Sequence, residues 1–245
     1  MEGASGRGRP ACAAVLLAAG HSSRMSAGDA APSTRKPFLE LDGRSLLAIS
    51  LASFAAAKEI DELVLVTQPE DKSRVDQIVA TSPARSLVRA QVAGGQERVD
   101  SVRAGVLATS ATAELVLVHD VARPFVTAAQ IDAVARAVRE HGAALLAIPI
   151  SDSVKASDDG TSTRESLDRS RLWAAQTPQG IRREIYLEVL DRASDEGFEP
   201  TDDAALYERY VGAVRLVEGS ALNFKITTQT DLALATALIQ SGSLT

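Results

Sequence analysis

Several short stretches of this chain combine small, basic and acidic residues at spacings that suit phosphate chemistry. In "LLAAGHSSRM" an apolar run stops at Gly20 and Arg24 follows; Lys36 comes next in "KPFLEL". Small residues at Ala18, Ala19 and Gly20 let a ligand approach the main chain, and successive loop amides can face an anion. Arg24 and Lys36 would flank that loop with positive charge. The spacing is neither a Walker A loop nor G-x-G-x-x-G, and an ordinary strand-to-loop turn with solvated basic residues reads the segment equally well. In "VHDVARPF" an apolar run ends at Asp120, with Arg123 three residues on and Pro124 fixing the turn. A carboxylate there suits Mg2+, which takes oxygen ligands together with substrate phosphates. A helix cap or a structural Asp–Arg pair would use the same residues. His119 points to the opposite face of the run and reads as structural. In "GGQERVDSV", Gly94 and Gly95 would let the backbone reach a flat base edge, with Ser101 in the helix that follows. "AQTPQ", "TDDA" and "NFKIT" set Thr177, Thr201 and Lys225 among apolar surroundings. Thr201 before Asp202 and Asp203 reads equally as a helix cap.

These residues need strands and helices to bring them together. The unbroken apolar run 13–19 predicts a strand buried on both faces, and further strands are expected over 62–67, 86–93, 114–120 and 143–150. Helical spacing covers 45–58, 71–80 and 97–109. A further helix starts from a Thr127–Gln130 capping box and carries Ile131, Val134 and Val138 on one face. The alternation predicts an α/β fold: a mostly parallel sheet, helices on both faces, ligands beyond the carboxyl ends of the strands. Residues 151–172 break the rhythm. They are polar, turn at Asp159–Gly160, and are too long for an ordinary connector. A two-stranded arm is expected there. It is barely stable alone and so should pack on something, most simply a second subunit. Helices over 183–194, 202–210 and 228–240 and a strand over 213–219 complete the pattern.

With 245 residues, 45% of them hydrophobic, the chain can bury the core of one domain, expected over 11–240 between a disordered leader (1–10) and a tail (241–245). The net charge of -6 argues against general affinity for nucleic acid or anionic membrane, so any anion must meet a local basic cluster. The single cysteine, Cys12, forms no internal disulfide and fits a reducing, cytoplasmic setting. Arg7 and Arg9 ahead of an apolar run mimic an export signal. Pro10 directly before that run and the lack of a small-x-small cleavage site argue against one.

Taken together and in order, "LLAAGHSSRM", "KPFLEL", "GGQERVDSV", "VHDVARPF", "DSVK", "LDRSRLWAAQTPQ", "TDDA" and "NFKIT" resemble the 2-C-methyl-D-erythritol 4-phosphate cytidylyltransferase family over about residues 12 to 240. The resemblance implies a Rossmann-like, doubly wound sheet of the nucleotide-diphospho-sugar transferase type with a protruding β-arm. It also implies transfer of CMP from CTP to the sugar phosphate, with Mg2+ and release of pyrophosphate. By resemblance, Ala18, Ala19, Gly20 and Ala122 line the nucleotide, and Gly95 and Ser101 read the cytosine. Arg24, Lys36 and Lys225 serve the reacting phosphates, and Asp120 holds the metal. Arg123 and Thr177 lie near the erythritol. Arg169 and Ser153, on an arm exchanged across a homodimer, and Thr201 complete the substrate side. Ser153 stands where the family has threonine and keeps the hydroxyl; Leu222 stands where many members carry aspartate. The link "MSAGDAAPSTR" (25–35) is longer than usual and offers Arg35 as a rival to Lys36, whose Lys-Pro-Phe context matches better. No part of the cyclase domain fused to some relatives is expected here. Ribitol-5-phosphate cytidylyltransferase and a non-catalytic nucleotide-binding regulator are the rival readings. Lys155, Trp173 and the Leu-Ala-Ala-Gly opening argue against the first, and the joint presence of Arg24, Lys36, Asp120 and Lys225 against the second.

Overall fold

The fold is described from a computed structural model, for residues 11–20 and 35–242. The leader, Arg24, link residues 25–34 and the last three residues lie outside the described residues.

The strands are β1 (Cys12–Leu17), β2 (Glu40–Leu41), β3 (Arg44–Ser45), β4 (Glu62–Thr67), β5 (Val88–Ala93), β6 (Leu115–Asp120), β7 (Ala143–Pro149), β8 (Lys155–Ala156), β9 (Glu165–Ser166), β10 (Trp173–Arg182) and β11 (Arg215–Glu218). The helices are α1 (Leu46–Ala56), α2 (Lys72–Thr81), α3 (Arg98–Ala108), α4 (Ala128–His141), α5 (Arg183–Glu196), α6 (Asp203–Tyr210) and α7 (Gln229–Gln240). One sheet of order β11-β7-β10-β6-β1-β4-β5 runs through the molecule. Its ladders are parallel except those of β10, which lies antiparallel between β6 and β7.

The sheet is mostly parallel because the connections are helices, and both faces are covered. Alternate residues of the apolar strands enter two separate cores. Ala14 and Leu16 pack with Leu63, Leu65 and Leu117 beneath α1 and α4. Ala13 and Val15 pack with Val64, Val66 and Val116 beneath α3 and α5. Helix α1 starts where the Ser45 hydroxyl accepts from the Ala48 amide, and it buries Leu47, Ser50, Leu51 and Phe54. The Thr127–Gln130 capping box opens α4, which buries Ile131, Val134 and Val138. Helix α3 approaches the sheet closely because residue 105 is glycine. A Cβ there would stand 2.3 Å from Val15 Cγ1 and 2.9 Å from Val66 Cγ2.

The predicted elements are present with small shifts at their ends, and three further strands appear: the two-residue β2 and β3, paired with each other, and the longer β10. Residues 173–182 form β10, which pairs Gln179 with Val118 on one side and Trp173 with Pro149 on the other. "AQTPQ" lies in this strand, at a register shift between Ala175 and Gln179. Proline cannot donate to a ladder and sits at such irregularities. The arm between β7 and β10 is a short antiparallel ladder, Lys155 opposite Ser166 and Ala156 opposite Glu165. The arm leaves the sheet at the carboxyl end of β7, and because β10 runs back against β7 the chain re-enters at the same edge. That is the edge at which β1 and β6 also end.

Candidate active site

At this edge a cleft of about 340 Å³ opens, a volume within the range of small-molecule sites. Its walls come from the end of β1 (Ala18, Ala19, Gly20), the segment after β5 (Gly95), the first turns of α3 (Arg98, Ser101), and the end of β6 with the turn after it (Asp120, Ala122). Lys36 enters from the start of a short 3-10 helix, and Lys225 from the stretch before α7. The expected nucleotide-binding residues and three of the expected charged ones therefore share one space.

The loop after β1 is held from behind. The Ala18 amide donates to Val66 O at 2.7 Å, and the Gln68 side chain donates to Ala19 O at 2.6 Å. Gly94 lets this loop and the one after β5 touch, since a Cβ on it would come within 2.3 Å of Ala19 Cβ. The Gly95 amide donates to Ser101 Oγ at 3.0 Å, which fixes the loop to α3.

Arg35 and Lys36 separate. Arg35 pairs with Glu70 and Asp71 ahead of α2, each at 2.8 Å, while Lys36 lines the cleft. Pro37 and Phe38 are buried in the 3-10 turn, and the Arg74 guanidinium lies 4.4 Å from the Phe38 ring centre. Lys36 is thus carried between two anchors on the α2 side.

Asp120 is buried and doubly paired. Lys225 Nζ donates to its Oδ2 at 2.6 Å, and Arg98 Nη2 lies 3.4 Å from its Oδ1. Burial alone would raise its pKa; Arg98 and Lys225 more than offset this and hold the carboxyl well below its usual range. Arg98 Nη2 donates to Asp203 Oδ2 at 2.7 Å, and the buried Tyr186 hydroxyl donates to Asp203 Oδ1 at 2.6 Å. Burial would lower the Arg98 pKa, but the two carboxylates raise it instead, so the guanidinium is permanently charged.

His119 lies behind this site, fully buried, with its ring 5.2 Å from that of Phe54. Burial lowers its pKa to about 4 despite the opposing effect of Asp120, so the ring is neutral at pH 7. Nε2 faces Arg123 O at 3.1 Å and Nδ1 faces Thr177 Oγ1 at 3.1 Å. A carbonyl only accepts, so Nε2 carries the proton and Nδ1 accepts from the Thr177 hydroxyl. That hydroxyl in turn accepts from the Asp120 amide at 3.1 Å. The expectation that His119 is structural holds, and the ring sets the path of the turn after β6.

The remaining predicted residues stand outside the cleft lining. Thr177 is buried in the bonds just described. Arg123 donates to Asn223 O at 2.9 Å and Ala175 O at 3.3 Å, and its buried Nε has no partner among the described residues. Ser153 and Arg169 are exposed on the arm, where Arg169 donates to Ser151 O. Thr201 is exposed; the cap of α6 is Asp202, whose carboxylate accepts from the Ala205 amide at 2.9 Å.

Among the described residues no cluster of three or more His, Cys, Asp or Glu side chains forms a metal cage. Asp120 offers one carboxylate, whose Oδ1 bears, among the described residues, the long Arg98 contact. This fits Mg2+, which commonly takes one or two carboxylates and completes its shell with phosphate oxygens and water.

Comparison with known proteins decides the family. The model of the 2-C-methyl-D-erythritol 4-phosphate cytidylyltransferase family matches residues 12–241. The chain belongs to this family. It is 39% identical over 228 residues to the 2-C-methyl-D-erythritol 4-phosphate cytidylyltransferase of Geobacillus kaustophilus, covering 93% of this chain and 96% of that one. It is 42% identical to a bifunctional IspD/IspF enzyme of Desulforudis audaxviator, covering 94% of this chain and 57% of the longer protein. Among solved structures, the 4-diphosphocytidyl-2C-methyl-D-erythritol synthase of Anaerococcus prevotii superposes with a TM-score of 0.82 at 31% identity, covering 94% and 96% of the two chains. The cytidylyltransferase of Thermus thermophilus gives 0.73 at 34% identity, covering 93% and 98%.

As in nucleotidyltransferases of this family, the fold is a Rossmann-like, mostly parallel sheet with flanking helices. Among the described residues no helix is long and apolar enough to cross a membrane. Sequence reasoning missed Arg98, Asp203 and Tyr186 as parts of the site. Arg98 lay inside "GGQERVDSV" and Asp203 inside "TDDA", so the signal was a charged residue buried in each motif. Tyr186 carried no signal beyond its place on an apolar helix face.

Proposed function

We propose that this chain transfers the cytidylyl group of CTP to the phosphate of 2-C-methyl-D-erythritol 4-phosphate. A phosphate oxygen of the sugar attacks the α-phosphorus of CTP. The new P–O bond forms as the bond to the β-phosphate oxygen breaks, and pyrophosphate leaves. A phosphate monoester has its second pKa near about 6 and is largely dianionic at pH 7, so the attack needs no general base. The neutral, buried His119, with both ring nitrogens bonded, is consistent with that reading.

The observation that carries the proposal is the meeting of Lys36, Lys225 and Asp120 with the small-residue backbone of 18–20 and 95 in one cleft at the carboxyl edge of the sheet. In this reading Ala18, Ala19, Gly20, Gly95, Ser101 and Ala122 hold the nucleotide. Lys36 and Lys225, with Arg24, neutralise charge that builds up on the phosphates as the bond to pyrophosphate breaks. Fixed donors aimed at developing charge are the main resource of such sites. Asp120 would hold Mg2+, which supplies further charge neutralisation when bound. Thr177 and Arg123 shape the turn that carries Asp120. Ser153 and Arg169 act from the arm of a second subunit, with Thr201, on the sugar phosphate. Residues 11–240 act as a single domain with 151–172 as the dimerising arm, working in the cytoplasm without nucleic acid or membrane. The test is pyrophosphate release from CTP and Mg2+ with methylerythritol 4-phosphate and ribitol 5-phosphate side by side. Release with the first alone is expected. Release with ribitol 5-phosphate alone, or with neither, overturns the reading.

A further inference from the structure

We propose that Asp203 is a positioning residue that holds Arg98 away from Asp120 and so leaves Asp120 Oδ1 open to a divalent cation. The inference rests on the reading of Asp120 as the metal's carboxylate. Two carboxylates share one guanidinium nitrogen. Arg98 Nη2 is 2.7 Å from Asp203 Oδ2 and 3.4 Å from Asp120 Oδ1. The nearer contact is a full charge-assisted hydrogen bond, and the farther one is at the limit of contact. Asp203 is 1% exposed, and its second oxygen is pinned by the Tyr186 hydroxyl at 2.6 Å. It therefore cannot follow Arg98 toward the cleft. Its neighbour Asp202 faces the other way, onto Gln179 and the Ala205 amide. Lys225 already occupies Asp120 Oδ2. If Asp203 lost its charge, Asp120 would become the only carboxylate of the pair left for Arg98. A second cation would then close the remaining oxygen.

Calorimetric titration of CTP into the enzyme without acceptor, once with Mg2+ and once with EDTA, measures the metal's contribution as a ratio of affinities. Asp120→Asn should bring that ratio to about one, where wild type shows a coupling of roughly tenfold or more. If wild type and Asp120→Asn share one ratio, the reading of Asp120 fails, whatever Asp203 does. Asp203→Asn should lower the ratio toward that of Asp120→Asn, with CTP affinity in EDTA within about threefold of wild type. The double variant Arg98→Gln with Asp203→Asn removes the intruding cation and should return the ratio to wild type. Simple loss of structure would instead leave the double variant as weak as the single one, or weaker. A wild-type ratio in folded Asp203→Asn overturns the proposal, and so does a double variant whose ratio stays near one. If Asp203→Asn does not fold, the double variant alone decides by the same criterion.

Discussion

Arg35 and Lys36 are chain neighbours with opposite destinations. Arg35 is paired with Glu70 and Asp71, while Lys36 lines the cleft. Lys36→Ala should fold normally and lose on the order of 10² in kcat, the scale of a lost transition-state donor. Steady-state rates at saturating CTP check this, and near-wild-type turnover would remove Lys36 from the reaction. Arg35→Ala should cost much less, because it frees an anchor and leaves the ammonium in place. The lysine was legible from its Lys-Pro-Phe context. Arg35's destination was not, because its partners lie 35 and 36 residues away. His119 makes a second claim testable at this scale. Its folded pKa of about 4 lies below the unfolded value of about 6.5. Between those values the unfolded chain binds the extra proton, so stability falls as pH drops from about 6.5 toward 4. The full loss is on the order of 3 kcal/mol. Urea unfolding at several pH values, compared with His119→Gln, should show a shallower fall in the variant over that window.

The apolar runs made most strands legible because both faces of a parallel sheet are buried and no polar alternation is needed. β10 was not legible for the opposite reason. Its Gln176, Thr177, Pro178 and Gln179 look like a turn, yet the two glutamines and the threonine are buried and hydrogen-bonded. Gln179 donates to Asp202 and accepts from the Ala204 amide, and Gln176 donates to Ser220 O. These polar side chains tie the strand to α6 and to the loop after β11, which a sequence read one segment at a time cannot show. The packing of α3 gives a prediction at this scale. Gly105→Ala places a methyl against Val15 and Val66, so helix and sheet must part. A loss of about 1–3 kcal/mol in urea unfolding is expected, the usual range for overpacking. The KM for CTP should rise with it, because α3 also carries Ser101, which fixes the Gly95 loop. Unchanged stability would mean that α3 moves more freely than its contacts indicate.

At the scale of the molecule, the cleft holds the residues predicted for the nucleotide, while Ser153 and Arg169 lie exposed on the arm. Neither lines the cleft of its own chain, and in the proposed dimer the arm of the partner would supply them. Arg169→Ala should raise KM for the sugar phosphate roughly tenfold or more while moving that for CTP little, as loss of a charged contact to one substrate does. Mixing Lys36→Ala with Arg169→Ala should restore activity on subunit exchange, since one site of the hybrid then has both wild-type residues. No recovery in a mixture shown to exchange would place the arm on its own cleft. That the arm leaves the sheet was legible from the polarity of 151–172. How the chain re-enters the sheet after the arm was not, because that return is made by the unpredicted antiparallel β10. The pairing of β7 with β10 also works as a ruler. Two residues added to each strand would keep every side chain on its own face and carry the arm about 7 Å outward at the usual rise. The reach between subunits can therefore be graduated in whole pleats, with the cleft left as it stands.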